Sequence, residues 1–202
     1  MRFTAPPPAF RTRKRQQADA CPAPITSKAA ARHVASLHRA ADVLASIPGP
    51  GETLHALMTG EFDLMHLIAV LIGQVGPCQA VRFATLSYNK RNLAEMLRLF
   101  DEGRVREMHL LCSVFFRDHN KDLWTETQSQ FRDRRQLVAA SRSHCKVTTF
   151  ACTDGRRLTM EGSPNLRTNK NREQITITHD AAVHDWAAGW IDAEIEKREA
   201  AK

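Results

Sequence analysis

Apolar positions along the chain switch between helical and alternating spacing, and the switches divide it into elements. Val34, Leu37, Ala41, Leu44 and Ile47 fall on one stripe at helical spacing, and Pro48-Gly49-Pro50-Gly51 stops that helix. A short segment at Leu54–Met58 leads into a helix near Asp63–Val75, and Ala80–Tyr88 reads as a strand. Leu93, Met96, Leu97 and Phe100 then return to a 3.6-residue period, closed by Gly103. Met108–Phe116 is apolar on both faces, the pattern of a central strand covered by helices. Strand, helix and strand at this spacing predict a right-handed parallel crossover.

A polar helix is predicted for 118–134 and a short strand for Gln136–Ser141. His144–Cys152 and Arg156–Gly162 bracket Thr153-Asp154-Gly155, a tight-turn signal, and should pair as a hairpin. Gln174–His179 adds a strand, and a last helix is expected to turn Val183, Trp186, Ala187, Trp190 and Ile191 inward. The sum is an α/β fold with a mixed, largely parallel sheet and helices on both faces.

Composition narrows the partners. The chain has 202 residues, 43% of them hydrophobic and 25% charged, enough for one sizeable core. Residues 1–25, rich in proline and carrying Arg11, Arg13, Lys14 and Arg15, are expected to form a disordered basic arm, either a phosphate-contacting extension or a solubilising tail. Residues 26–50 supply the first helix and its linker, and 51–200 the main domain. A net charge of +7 favours a polyanion, with nucleic acid, DNA ahead of RNA, preferred to a lipid surface for want of an apolar anchor. Leu64–Gly73, the longest apolar run, is too short to span a bilayer, and no secretory signal is visible. Five cysteines without a CxxC pair read as reduced, mostly buried thiols, which with the missing signal points to the cytoplasm. Cys145 and Cys152 lack a second close ligand pair, so neither a metal nor another cofactor is expected.

The chemistry concentrates between 144 and 173. In a strand His144 and Lys146 share one face while Cys145 and Val147 take the other, so imidazole and ammonium are aimed together. Gly162-Ser163-Pro164-Asn165 follows after the hairpin, then Arg167, Asn171, Arg172 and Glu173. Imidazole is suited to attack phosphorus near neutral pH; an ammonium, an amide and a hydroxyl can hold the non-bridging oxygens of a phosphate.

His144-x-Lys146, then Gly162-Ser163-x-Asn165 and Asn171-x-Glu173, resembles the HKD signature of the phospholipase D superfamily, and the strand, helix, Gly turn and strand over Val81–Phe116 look like that family's upstream order. The resemblance covers about Gly51–Ile195. Two positions depart from it: Ala151 stands where the motif has Asp, and the interval from Lys146 to Gly162 is longer than usual, with Asp154 in the added hairpin. The resemblance implies a metal-independent phosphodiesterase, a nuclease, with His144, Lys146, Ser163, Asn165 and Glu173 catalytic and Gly162, Arg167, Asn171 and Arg172 at the substrate. It implies a phosphohistidine intermediate, with Glu173 fixing the imidazole that attacks. Because the mechanism uses two histidines and this chain has one motif, a homodimer sharing one site is expected. A catalytically impaired nucleic-acid-binding relative, for which Ala151 speaks, and a phospholipid hydrolase or phosphatidyltransferase are the alternatives.

Overall fold

The computed structural model describes residues 39–44, 46–58, 62–167 and 171–200. A seven-stranded sheet runs through it in the order β1-β7-β6-β5-β2-β3-β4. The strands are β1 (Thr53–Met58), β2 (Cys78–Thr85), β3 (Val105–Ser113), β4 (Leu137–Ser141), β5 (Val147–Cys152), β6 (Arg157–Gly162) and β7 (Glu173–His179). The helices are α1 (Leu64–Val75), α2 (Lys90–Asp101), α3 (Val114–His119), α4 (Lys121–Asp133) and α5 (Ala181–Glu199).

The mixed sheet and the flanking helices agree with the sequence pattern. The parallel part, however, is confined to β2, β3 and β4, whose connections run through helices. The other four ladders are antiparallel. The sheet is therefore mixed but not largely parallel. A turn of a few residues between β5 and β6 can only reverse the chain, whereas parallel neighbours need a crossover. That turn is the expected hairpin: Gly155 takes φ +94°, and the Cys152 amide donates to the Arg156 carbonyl at 2.9 Å.

Strand alternation sends side chains to two cores. Val81, Phe83, Leu110, Cys112, Phe150, Leu158 and Met160 face the large cluster built with α1, α2 and α4. Ala84, Leu111 and Ala139 face a smaller one with Ile191 and Ile195 of α5. Leu64, Met65, Leu67, Ile68, Leu71 and Ile72 of α1 are all nearly inaccessible, so this helix is buried nearly all round. At its start Asp63 accepts the His66 amide at 3.0 Å while the His66 ring takes the Asp63 amide, a reciprocal cap that uses an imidazole in place of the usual Glu or Gln.

Three expectations need correction. The β3 strand ends at Ser113 and not at Phe116, because the Ser113 hydroxyl donates to the Leu86 carbonyl at 2.8 Å and accepts the Phe116 amide at 2.9 Å, which starts α3. On α5 the buried stripe is His184, Ala187, Ala188, Ile191 and Ile195; Trp186 is 69% exposed and Val183 is exposed as well. The inner face there meets a sheet surface of Ala84, Leu111 and Ala139, against which Trp190 packs half-buried as expected. Finally, β5 begins at Val147, so His144 and Lys146 precede the strand instead of lying in it. Of the first predicted stripe, Leu44 is buried and Ala41 and Ile47 are half-buried, while Val34 and Leu37, like the basic arm, lie outside the described residues. Cys78, Cys112 and Cys152 are buried free thiols and Cys145 is exposed.

Candidate active site

Strand direction gathers the candidate residues at one edge of the sheet. β2, β3 and β4 run parallel and finish at Thr85, Ser113 and Ser141. The antiparallel register sets Val147, where β5 begins, against Ala84 and Glu161, and sets Gly162, where β6 ends, against Ile175 near the start of β7. The loop 142–146 and the segments 163–167 and 171–172 therefore all lie at the carboxyl edge of the parallel strands. In open α/β sheets that edge is where loops and helix starts leave a crevice for ligands.

Within the first loop the Lys146 Nζ lies 2.8 Å from His144 Nδ1 and donates to the His144 carbonyl at 3.1 Å. The expected pairing of imidazole and ammonium is thus present, made by a loop and not by strand alternation. Partial burial pulls the Lys146 ammonium below the usual lysine range, and the Glu173 carboxylate pulls in the opposite direction. His144 itself is exposed.

The second loop is tied to the first through the sheet. The Gly162 amide donates to the Lys146 carbonyl at 3.3 Å. A Cβ on Gly162 would overlap the Gln174 carbonyl and crowd the Ile175 Cα, so the motif glycine is demanded by the close approach of β7. The Ser163 amide donates to the Gln174 carbonyl at 3.0 Å, the Gln174 amide returns a bond to Ser163 Oγ at 3.1 Å, and that hydroxyl donates to the Glu173 carboxylate. Ser163 and Glu173, ten residues apart, are thereby one unit. Asn165 keeps a buried Oδ1 with no hydrogen-bond partner among the described residues, and its neighbour Leu166 is anchored by the Met65 amide at 3.3 Å. Arg167, Asn171 and Arg172 are exposed around the same loop.

The two departures from the signature also have places. Ala151 is buried opposite Ala80 and Arg157, on the face covered by α5. Asp154 sits at the hairpin tip, accepting the Arg156 amide at 3.1 Å and its Nε at 2.7 Å, at the far end of β5 from His144. It supplies turn chemistry and does not stand in for the motif carboxylate.

No protein-family model and no curated protein sequence matches the chain. Among solved structures it is similar to Nuc, a phospholipase D family member from Salmonella typhimurium, at 10% identity and a TM-score of 0.52, over 73% of this chain and 95% of that one. The chain has the phospholipase D fold. A second similar structure, polyphosphate kinase from Porphyromonas gingivalis, matches at 10% identity and a TM-score of 0.50, over 72% of this chain but 25% of the kinase, so the likeness spans one part of that larger protein.

On this phospholipase D-like frame, one polar cluster lay outside the sequence reading. Asp192 of α5 accepts Arg82 Nε at 2.7 Å and lies 2.7 Å from His109 Nδ1, while Arg82 also reaches Glu107 at 2.6 Å. Burial would raise the Asp192 carboxyl, but the His109 and Arg82 contacts outweigh it and hold it below the usual range. This cluster clamps α5 to the sheet. No sequence signal could have paired residues 110 positions apart. Among the described residues no group of three or more His, Cys, Asp or Glu side chains is placed to hold a metal ion, and no helix is long and apolar enough to cross a membrane.

Proposed function

We propose that the protein is a metal-independent phosphodiesterase, a nuclease acting on nucleic acid, DNA ahead of RNA, through a phosphohistidine in a site shared by two copies of the chain. The observation that carries this reading is the His144–Lys146 pair standing at the same sheet edge as the Ser163–Glu173 pair and Asn165. An imidazole nucleophile, an ammonium, a hydroxyl and an amide are the groups an in-line attack on a phosphodiester needs. The net charge of +7 supports a polyanionic substrate.

In the proposed reaction the incoming phosphate draws Lys146 away from the imidazole and onto a non-bridging oxygen. His144 Nδ1, now free, carries a proton held by Glu173, which leaves the Nε2 lone pair to attack phosphorus. The P–O bond to the leaving group breaks as the partner subunit's His144 gives that oxygen a proton. The same partner imidazole then takes a proton from water, whose oxygen attacks the phosphohistidine and releases His144. Ser163 and Asn165 hold the transferred group, and Gly162, Arg167, Asn171 and Arg172 line its approach. One motif per chain makes the dimer part of the chemistry.

The second reading, a nucleic-acid-binding protein without catalysis, is favoured by one observation, the buried Ala151 in place of a carboxylate. Nuclease assays in excess EDTA separate the two. Cleavage by the native chain that is lost in His144→Ala supports the enzyme; binding without cleavage in both supports the second reading. A strictly monomeric mass in solution under assay conditions rules out the shared site.

A further inference from the structure

β4 is the last strand of the sheet, so its outer edge has no strand neighbour among the described residues. Two contiguous grooves, of about 550 Å³ and 280 Å³, run along that edge and share Gln128 and Val138. Five arginines line them: Arg117, Arg142 and Arg198 in the larger groove, which reaches the end next to His144, and Arg132 and Arg135 in the smaller. They come from separate elements on both sides of the sheet, α3, α4 and its C-terminal turn, the β4–β5 loop and α5. Between the arginines the larger groove is lined by Val114, Gln128 and the largely buried Trp124, Val138, Ala139 and Ala140.

We infer that this groove binds a single-stranded stretch of the polynucleotide and leads it to the carboxyl edge that carries His144. The inference rests on the nuclease reading for its substrate class and adds the strand's form and path.

Three observations favour this occupant. Arg132, Arg135 and Arg142 are exposed and have no side-chain partner among the described residues, so they are available to phosphates without breaking a contact. Arg117 and Arg198 are held only by Asp118 at 2.8 Å and Glu194 at 2.8 Å, pairs with side chains 42% exposed on the arginine side, which exchange readily for a phosphate. Glu199 is the acidic side chain lining the track. Secondly, grooves of about 550 Å³ and 280 Å³ have room for one backbone with its row of bases, whereas a duplex is too wide to enter and would meet only the outermost arginines. Thirdly, β4 has five residues and is about 16 Å long, so the track spans a few nucleotides and ends two residues from the proposed nucleophile.

Binding is measured by fluorescence anisotropy with labelled oligothymidylate of 4 and 16 nucleotides over a series of salt concentrations. The full chain carries His144→Ala throughout so that cleavage plays no part. Arg117→Gln, Arg132→Gln and Arg198→Gln are each compared with Arg106→Gln, which removes the same charge from an exposed position near the start of β3. The expected result is a loss of about three- to tenfold in affinity for each groove variant, and a salt slope shallower by about 0.7, with Arg106→Gln close to the parent. The 16-mer binds more tightly than the 4-mer, and a blunt duplex of equal length more weakly than the single strand. Groove variants that match Arg106→Gln, a duplex that binds as well as the single strand, or an acidic peptide that displaces the oligonucleotide at equal charge concentration would each overturn the inference. Cleavage by the native chain in EDTA is scored separately: its absence with an intact groove effect removes the chemistry and leaves the groove, and its presence without a groove effect does the reverse.

Discussion

The Lys146 ammonium rests 2.8 Å from Nδ1 of His144, on the nitrogen that must carry a proton if the other is to attack phosphorus. In the proposed reaction this is the resting arrangement, since a donor on Nδ1 leaves Nε2 bearing the hydrogen. On that proposal, an anion that draws the ammonium off converts the imidazole to the nucleophilic tautomer.

Lys146→Met should therefore lower kcat on a phosphodiester by about 10²- to 10³-fold, the scale of losing one donor to the transferring group. KM should change less. Initial rates with a short oligonucleotide in EDTA test it; a loss confined to KM would assign Lys146 to binding alone.

Gly162→Ala is expected to disrupt the site and the sheet together, because the new methyl overlaps the Gln174 carbonyl on β7. Backbone cannot move aside as a flexible side chain can, and a cost of about 2 kcal/mol is expected for such overpacking. Thermal melts should show a lower Tm, and activity should fall even at temperatures where the variant is folded.

Asp192→Asn removes the charge that holds Arg82 and His109 while keeping the shape. Arg82 then keeps Glu107 as its one carboxylate partner among the described residues, and losing the charge-assisted bond to Asp192 should cost about 2 kcal/mol, which lowers Tm by roughly 4–8 °C for a chain of this size. Thermal unfolding followed by circular dichroism measures it, and a Tm within a degree of the native value would show that α5 is held by packing alone.

His184 gives an acid limit to stability. Burial pushes its pKa below the ordinary histidine value, and the Asp185 carboxylate at 2.8 Å offsets part of that. The unfolded chain titrates near the ordinary value of about 6.5 and so binds more protons than the folded one below it. Stability contributed by the neutral ring is thus complete above that pH and declines as the pH falls through it. His184→Gln should flatten this part of the profile, so the urea midpoints of native and variant chains, compared between pH 7.5 and 5, should differ in slope. Parallel profiles would refute the assignment.

Much of the fold was legible because its signals are local. The helical spacing through Leu93, Met96, Leu97 and Phe100 reports a face, and β2, α2 and β3 appear in the structure in that order. Asp154-Gly155 reports a turn whose backbone demands glycine. The Gly162-Ser163-Pro164-Asn165 run marked the second loop of the site, and Gly162 is there for a steric reason that only the neighbouring strand reveals. Where the reading failed, a longer-range partner decided. Val114, Phe115 and Phe116 look like a continued strand, yet the Ser113 hydroxyl, held by the Leu86 carbonyl, turns them into a helix. Trp186 looks like core, yet α5 is rotated to place Ala187 and Ile191 against the sheet.

The amino-acid order by itself determined the order and approximate extent of most helices and strands, where the hairpin turns, and which residue types could handle a phosphate, since each depends on neighbours a few positions away. Tertiary structure alone decided the strand order, the single edge at which His144, Lys146, Ser163 and Glu173 come together, the Arg82–Asp192–His109 clamp and the arginine-lined edge of β4. Those depend on contacts between segments tens of residues apart, where a one-residue change of register reverses every side chain, and no local pattern carries that information.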